Sequence, residues 1–226
     1  MELLGKSIVQ TSIRNYRFRA LVADLPQKRK YTYYMNKTRL EAFSDGVIAI
    51  LITIMVLELR IPHGATLDVL SPLIPVFLTY ILSFIYLGIY WNNHHHMLQA
   101  TRQVNGKILW ANLHLLFWLS LVPFVTGWMG ENHFAPLPTA IYGVNLLCAA
   151  IGYTILQTLI IRHHHGENAL LATAVGNDLK GKLSMVLYAA AIPLAFVNQW
   201  ISDLIYVGVA AMWLVPDRRI ESRIAE

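Results

Sequence analysis

Charge is scarce in this chain. Asp, Glu, Lys and Arg make up 14% of 226 residues, where a soluble domain carries about 25%. Hydrophobic residues reach 56%. One soluble domain of this size has too much exterior to cover with so few polar groups, so that class is excluded and a lipid bilayer is the solvent that fits. Cysteine is scarcer still. The lone Cys148 excludes an intramolecular disulfide, and its apolar surroundings from Val144 to Ile151 make it packing rather than a reactive thiol. No cleavable signal peptide is expected, because the basic first 30 residues lack a continuous apolar stretch and a small-residue cleavage site.

What is present is a series of apolar runs. Crossing a hydrocarbon core takes about 20 mostly apolar residues, and six segments come close: 42–60, 70–97, 107–129, 137–161, 181–200 and 202–216. They predict an all-α, polytopic bundle of six transmembrane helices. The last two are expected to join in a tight hairpin around Asn198 to Asp203. Pro75, Pro123 and Pro193 fall inside these segments and are expected to bend them. The basic residues give an independent test. With a cytoplasmic amino terminus, every Lys and Arg but Arg60 lies on inner segments or on the helix ends beside them. The outward loops carry Asp68, Glu131 and Asp203 instead. This is the positive-inside pattern, and it puts both termini in the cytoplasm. The net charge of +5 then reports topology and contact with anionic membrane lipid, and no nucleic-acid partner is expected, since no basic cluster belongs to a soluble module.

The domain reading has three parts. Residues 1–34 are a basic cytoplasmic extension, 35–217 the six-helix membrane domain, and 218–226 a cytoplasmic tail. In the extension, Leu3, Leu4, Ile8, Val9, Ile13, Phe18, Leu21 and Val22 alternate with Arg14, Arg17 and Arg19. That spacing suits an amphipathic helix on the inner leaflet; a disordered tail, or translation starting at Met35, are the competing accounts.

The first span carries the chemistry. Arg39-Leu-Glu-Ala-Phe43-Ser44-Asp45-Gly46 brings an acid into a membrane segment that then runs from Val47 to Leu57 without a charge. Such an aspartate is costly unless it finds partners inside the bundle. On a helical wheel of about 100° per residue, Ile50, Thr53, Ile54 and Leu57 form one stripe, and Asp45 lies about 140° from Ile50. Asp45 should therefore face its own chain's neighbouring helices. Its expected partners lie at the same membrane depth, in Trp91-Asn-Asn-His94-His95-His96 and around Asn112: histidine, asparagine and indole N–H groups all donate to a carboxylate. The reading is one structural hydrogen-bonded cluster of Ser44, Asp45, Trp91, His94 or His95, and Asn112.

Arg39-x-x-x-Phe43-Ser44-Asp45-Gly46, with the apolar run to Glu58 behind it, closely resembles the signature of bacterial members of the transmembrane protein 175 family. The resemblance continues through Trp91 to His96 and more loosely from Asn112 to Glu131. It implies a potassium-permeable channel in the cell inner membrane, a homotetramer whose four first helices line a central pore, with no cofactor beyond the permeant potassium ion. It places constrictions at Ile50, Thr53 and Leu57, with Ile54 on the same stripe, and assigns Arg39, Phe43, Ser44 and Asp45 to the hydrogen-bond network. No Thr-Val-Gly-Tyr-Gly filter occurs, so the expected barrier is a hydrophobic ring of Ile50 beside the hydroxyls of Thr53.

Three other readings compete. A proton-coupled secondary transporter would use Asp45 as its carrier, but it needs Asp45 on a water-filled path, and usually an inverted repeat, which is not seen. An enzyme built from Glu58, Ser44 and the histidines fails on distance, since Glu58 and Asp45 are about 20 Å apart along the helix. The triplets His94 to His96 and His163 to His165 suggest a metal, but consecutive helical side chains diverge by about 100° and offer no closed ligand set. No metal site is expected.

Overall fold

The computed structural model of the chain describes residues 37–99, 101, 103–163 and 178–214. The expected extension 1–34 and tail 218–226 lie outside them. Within the described residues the fold is all-α, built from seven α-helices that make six passes. Pass one is α1 (Lys37–Ile54), prolonged by a 3-10 turn, Met55–Glu58. Pass two is a 3-10 segment, Leu67–Leu73, running into α2 (Ile74–Gln99). Pass three is α3 (Gly106–Ser120) followed by α4 (Val122–Glu131). Then come α5 (Pro136–His163), α6 (Leu179–Leu194) and α7 (Gln199–Leu214). The first four passes are each long and apolar enough to cross a membrane.

The three prolines act differently from one another. Pro123 has no N–H to offer the carbonyl of Leu119, so pass three breaks at Leu121 into α3 and α4. Pro75 sits in the first turn of α2, where the missing N–H costs nothing. Pro193 falls in the last turn of α6, so neither it nor Pro75 bends the middle of a pass.

The final hairpin lies earlier in the chain than 198–203. The turn occupies 195–198, because the side chain of Asn198 accepts from Trp200 N at 3.0 Å and so starts α7 there. Asp203 is thereby drawn from the expected loop into α7, with both carboxylate oxygens shielded and unpartnered among the described residues. Sixteen residues in each of α6 and α7 give only about 24 Å of helix. The turn itself extends the apolar layer. Ala195, Phe196 and Val197 are apolar, and the N–H groups of 195 to 198 all find carbonyls at Ala191, Pro193 and Leu194, as a hairpin near hydrocarbon requires.

Two cores share α2 and α5. One gathers Ile48, Leu51, Met55, Leu87, Ile108, Leu115 and Leu156 from α1, α2, α3 and α5. The other gathers Tyr86, Met129, Tyr142, Tyr188 and Tyr206 from α2 and α4 to α7. Hydroxyls bind the second core together: Tyr86 Oη donates to Tyr206 O at 2.6 Å, Tyr206 Oη to Thr139 O at 3.1 Å, and Ser83 Oγ lies 2.6 Å from Thr126 Oγ1 and 2.9 Å from Tyr142 Oη. At one end of the bundle Arg60 pairs with Glu131 at 2.7 Å. At the other, Lys37 Nζ donates to Gln99 O at 3.0 Å, satisfying a carbonyl of the last turn of α2.

Close helix approach depends on small residues. A Cβ placed at Gly130 would stand 2.7 Å from Val76 Cα and 2.6 Å from Thr79 Oγ1, whereas one at Gly88 would meet nothing within 4 Å. Gly130→Ala should destabilise the detergent-solubilised protein by about 1–3 kcal/mol and lower its melting temperature. Gly88→Ala should leave the melting temperature unchanged or slightly higher, and identical melting of the two variants would contradict this packing.

Candidate functional site

The face that α1 turns inward is set by its sequence period. Leu40, Ser44, Ile48, Leu51 and Met55 are its buried residues together with the 3-10 turn, and at about 100° per residue they fall within about 40° of Ser44. This strip packs on α2 and α3. Ile50, Thr53, Ile54 and Leu57 lie on the far side. Ile50 is 57% and Leu57 76% exposed, with Thr53 and Ile54 also exposed. The hydroxyl of Thr53 bonds back to its own helix, 2.9 Å from Ile50 O and 3.1 Å from Ala49 O. Its proton is used there, which leaves the oxygen lone pairs available on the open face.

The polar residues form two groups, where one cluster was expected. The first is buried between α1, α2 and α3. Asn112 Nδ2 donates to Ser44 Oγ at 2.9 Å, Ser44 Oγ donates to Leu40 O at 2.9 Å, and His94 Nε2 lies 2.7 Å from Asn112 Oδ1. Ser44 and Asn112 are fully shielded and His94 nearly so. A neutral His94 with its proton on Nε2 donates to the Asn112 carbonyl, and the asparagine passes its own donor to Ser44. One carboxamide thus satisfies three helices.

The second group lies on the flank of α1 that faces α2. Trp91 Nε1 donates to Asp45 Oδ1 at 3.0 Å. The indole stacks on the His95 ring at 5.8 Å between centroids. His95 Nδ1 is 3.3 Å from Glu41 Oε1, and its Nε2 is 2.7 Å from the side-chain amide of Gln99. Asp45 is half-buried, not fully enclosed, and the histidine beside it is His95, while His94 belongs to the asparagine. Arg39 and Phe43 join neither group. Both are exposed, and on the wheel they lie about 140° and 100° from Ser44, on the side of Ile50 and Leu57. They continue the open stripe toward the Lys37 end. Sequence reasoning missed Glu41 and Gln99. The signal for Glu41 was its spacing, one helical turn before Asp45 on the same flank. Of the second histidine triplet, only the backbone of His163 is described.

Comparison with known proteins converges on the same segment. The model of the family described as "endosomal/lysosomal potassium channel TMEM175" matches residues 39–123, which include both polar groups and the open stripe. A potassium channel from Chryseobacterium sp. (strain P1-3) is 54% identical over 192 residues, covering 85% of this chain and all of that protein. A potassium channel from Streptomyces collinus is 28% identical over 73% of this chain and 85% of its own length. Among solved structures, the crystal structure of a lysosomal potassium-selective channel TMEM175 homolog from Chamaesiphon minutus superposes with a TM-score of 0.69 at 26% identity, covering 80% of this chain and 97% of that one.

The buried trio yields a stability prediction. Ser44→Ala removes the acceptor of Asn112 Nδ2 and leaves a donor unpaired in a sealed site, at a cost of about 1–3 kcal/mol. Thermal unfolding in detergent should show it. Asp45→Asn, which keeps an oxygen for the Trp91 indole, should cost less than Ser44→Ala; the reverse order would refute the division into two groups.

Proposed function

The chain belongs to the TMEM175 family, and from that membership we propose that it is a multi-pass, potassium-permeable cation channel whose pore is lined by α1. The observation that carries the reading is the open face of that helix. Among the described residues, Ile50, Ile54 and Leu57 present exposed apolar side chains, and Thr53 sits exposed among them with its hydroxyl donating to its own helix. Four copies placed around an axis, as a homotetramer, bring these faces together.

The mechanism follows from the side chains. A ring of Ile50 is an apolar constriction that excludes water and ions when narrow and conducts when it widens enough to wet. Thr53 lies about one turn further along, and a ring of its oxygens replaces part of the hydration shell of a passing cation. Hydroxyl oxygens on flexible side chains discriminate less sharply than a rigid cage of carbonyls, so the preference for potassium over sodium is modest. Leu57 forms a second apolar ring beyond Thr53. The reading needs no cofactor. It places the protein in the cell inner membrane with both termini cytoplasmic, supported by the concentration of Lys and Arg on the Lys37 side.

A carrier mechanism through Asp45 has less support. The carboxylate is held by Trp91 of α2, about 140° around the helix from Ile50, so it does not share a path with the stripe. Catalysis has no support from the relatives, which are named as channels.

Planar-bilayer recording of the purified full-length protein under a potassium–sodium gradient tests the proposal. Wild-type protein should give small electrodiffusive currents that reverse toward the potassium potential. Ile50→Asn should raise the resting conductance severalfold, and Thr53→Ala should move the reversal potential toward zero. Unchanged currents in both variants would rule out this pore.

A further inference from the structure

Three side chains near the Lys37 end converge in a way that a pore on the opposite face of α1 does not require. Glu41 and Asp45 stand one turn apart on α1, and His95 reaches them from α2. One donor atom from each lies within 4.8 Å of the other two. His95 Nδ1 is shielded from solvent and makes no hydrogen bond among the described residues, although Glu41 Oε1 is only 3.3 Å away. We propose that Glu41, Asp45 and His95 bind a divalent transition-metal ion of the zinc class, bridging α1 to α2.

The donor set fits such an ion. Two carboxylates and a neutral imidazole carry a charge of −2, which a divalent cation neutralises, and mixed nitrogen–oxygen ligation suits zinc. Ligands held tetrahedrally at 2.0–2.1 Å stand about 3.3–3.4 Å from one another, and the His95–Glu41 pair already has that spacing. Asp45, within 4.8 Å of both other donor atoms, has to close by at most about 1.5 Å to reach that spacing. Trp91 engages Oδ1 of Asp45 at 3.0 Å, which leaves Oδ2 free of that bond. The site is half-buried on all three residues, which leaves a fourth position for water.

The surroundings favour metal over a simple ion pair. A ligating histidine usually donates its second ring N–H to a carbonyl or carboxylate, which fixes the tautomer. Here Nε2 of His95 lies 2.7 Å from the amide nitrogen of the Gln99 side chain. The nitrogen and oxygen ends of that amide exchange by a half-turn. With the oxygen toward the ring, Gln99 accepts the Nε2 proton and leaves Nδ1 unprotonated, 3.3 Å from Glu41 Oε1. Among the described residues the nearby cations are engaged elsewhere or turned away: Lys37 bonds to the backbone of Gln99, and Arg39 lies exposed on the other side of α1. The spacing of Glu41 and Asp45 on α1, with a histidine from α2, closes a ligand set that neither histidine triplet closes alone.

The test uses purified full-length protein, with Zn²⁺ in isothermal titration and Co²⁺ as a visible-absorption probe. The wild type should bind one Zn²⁺ per chain at this site and give the intense absorption of low-coordinate Co²⁺. Glu41→Gln and His95→Gln should each abolish that absorption and remove one Zn²⁺ per chain. Gln99→Leu, which touches no metal, should weaken Zn²⁺ binding about 10–100-fold. Replacing His163, His164 and His165 together with glutamine should leave the absorption intact. Size-exclusion profiles matching wild type show that the variants are folded, and Gln99→Leu serves if Glu41→Gln is not. Wild-type protein that binds no Zn²⁺, binding unaltered in the three single variants, or binding lost only with the 163–165 triplet would each overturn the assignment. None of these readouts depends on current, so failure here leaves the channel proposal standing.

Discussion

Away from water, a polar side chain has only the protein to bond with, and in this chain that constraint acts through Ser44. Its hydroxyl is sealed between α1, α2 and α3, bonded to Asn112, which is bonded in turn to His94. Helices in lipid gain little from burying apolar surface against each other, so packing and a few interhelical hydrogen bonds set their rotation. With Ser44 facing α3, the helical period leaves no freedom for the rest of α1. Asp45 is thrown about 100° round to α2, and Ile50, Ile54 and Leu57 are thrown outward. The polar trio and the apolar stripe are two consequences of one rotation.

The other half of the bundle uses the same logic with different chemistry. Tyr86, Tyr142, Tyr188 and Tyr206 meet in one cluster, and their hydroxyls reach backbone carbonyls, one another or, for Tyr142, the hydroxyl of Ser83. Each tyrosine fills a large volume and also supplies one directional bond, so α6 and α7 are fixed in position despite being short. The tight turn at 195–198 satisfies its own backbone. This half is a scaffold for α2 and α5, and α1 packs on the other side of that scaffold with one face left over.

Much of this was legible in the sequence because its physics is local. Span length, the count of basic residues and the helical wheel needed no tertiary information, and they gave the six passes and the opposite facing of Asp45 and Ile50. What failed depended on single bonds between elements. Asn198 starts α7 by accepting from Trp200, a choice that composition cannot distinguish from a turn four residues later. Whether His94 or His95 meets Asp45 turns on the rotation of α2, whose Leu87, Met97 and Leu98 pack in the core shared with α1, α3 and α5. Glu41 looked like the variable position of a motif, and only its depth beside His95 gives it a role. The family resemblance groups Arg39 and Phe43 with Ser44, whereas on a helix residues one or five apart point different ways.

The arrangement limits how α1 can move if it gates a pore. Turning the helix far enough to carry Ile50 off an axis would drag Ser44 out of its site and leave Asn112 and His94 with unpaired groups, at a cost of several kcal/mol per chain, multiplied over every copy that moves together. Tilting α1 about Ser44 avoids this. The anchor stays bonded at the Lys37 end while displacement grows along the helix, and Ile50, Thr53 and Leu57 lie progressively farther from the pivot, by about 9, 13 and 19 Å. At the far end Met55 is the one buried residue of the 3-10 turn Met55–Glu58, and the Arg60–Glu131 pair just beyond it is exposed. In the proposed pore such a tilt would open most at Leu57 and least at Ile50, and would make the isoleucine ring the last barrier to wet.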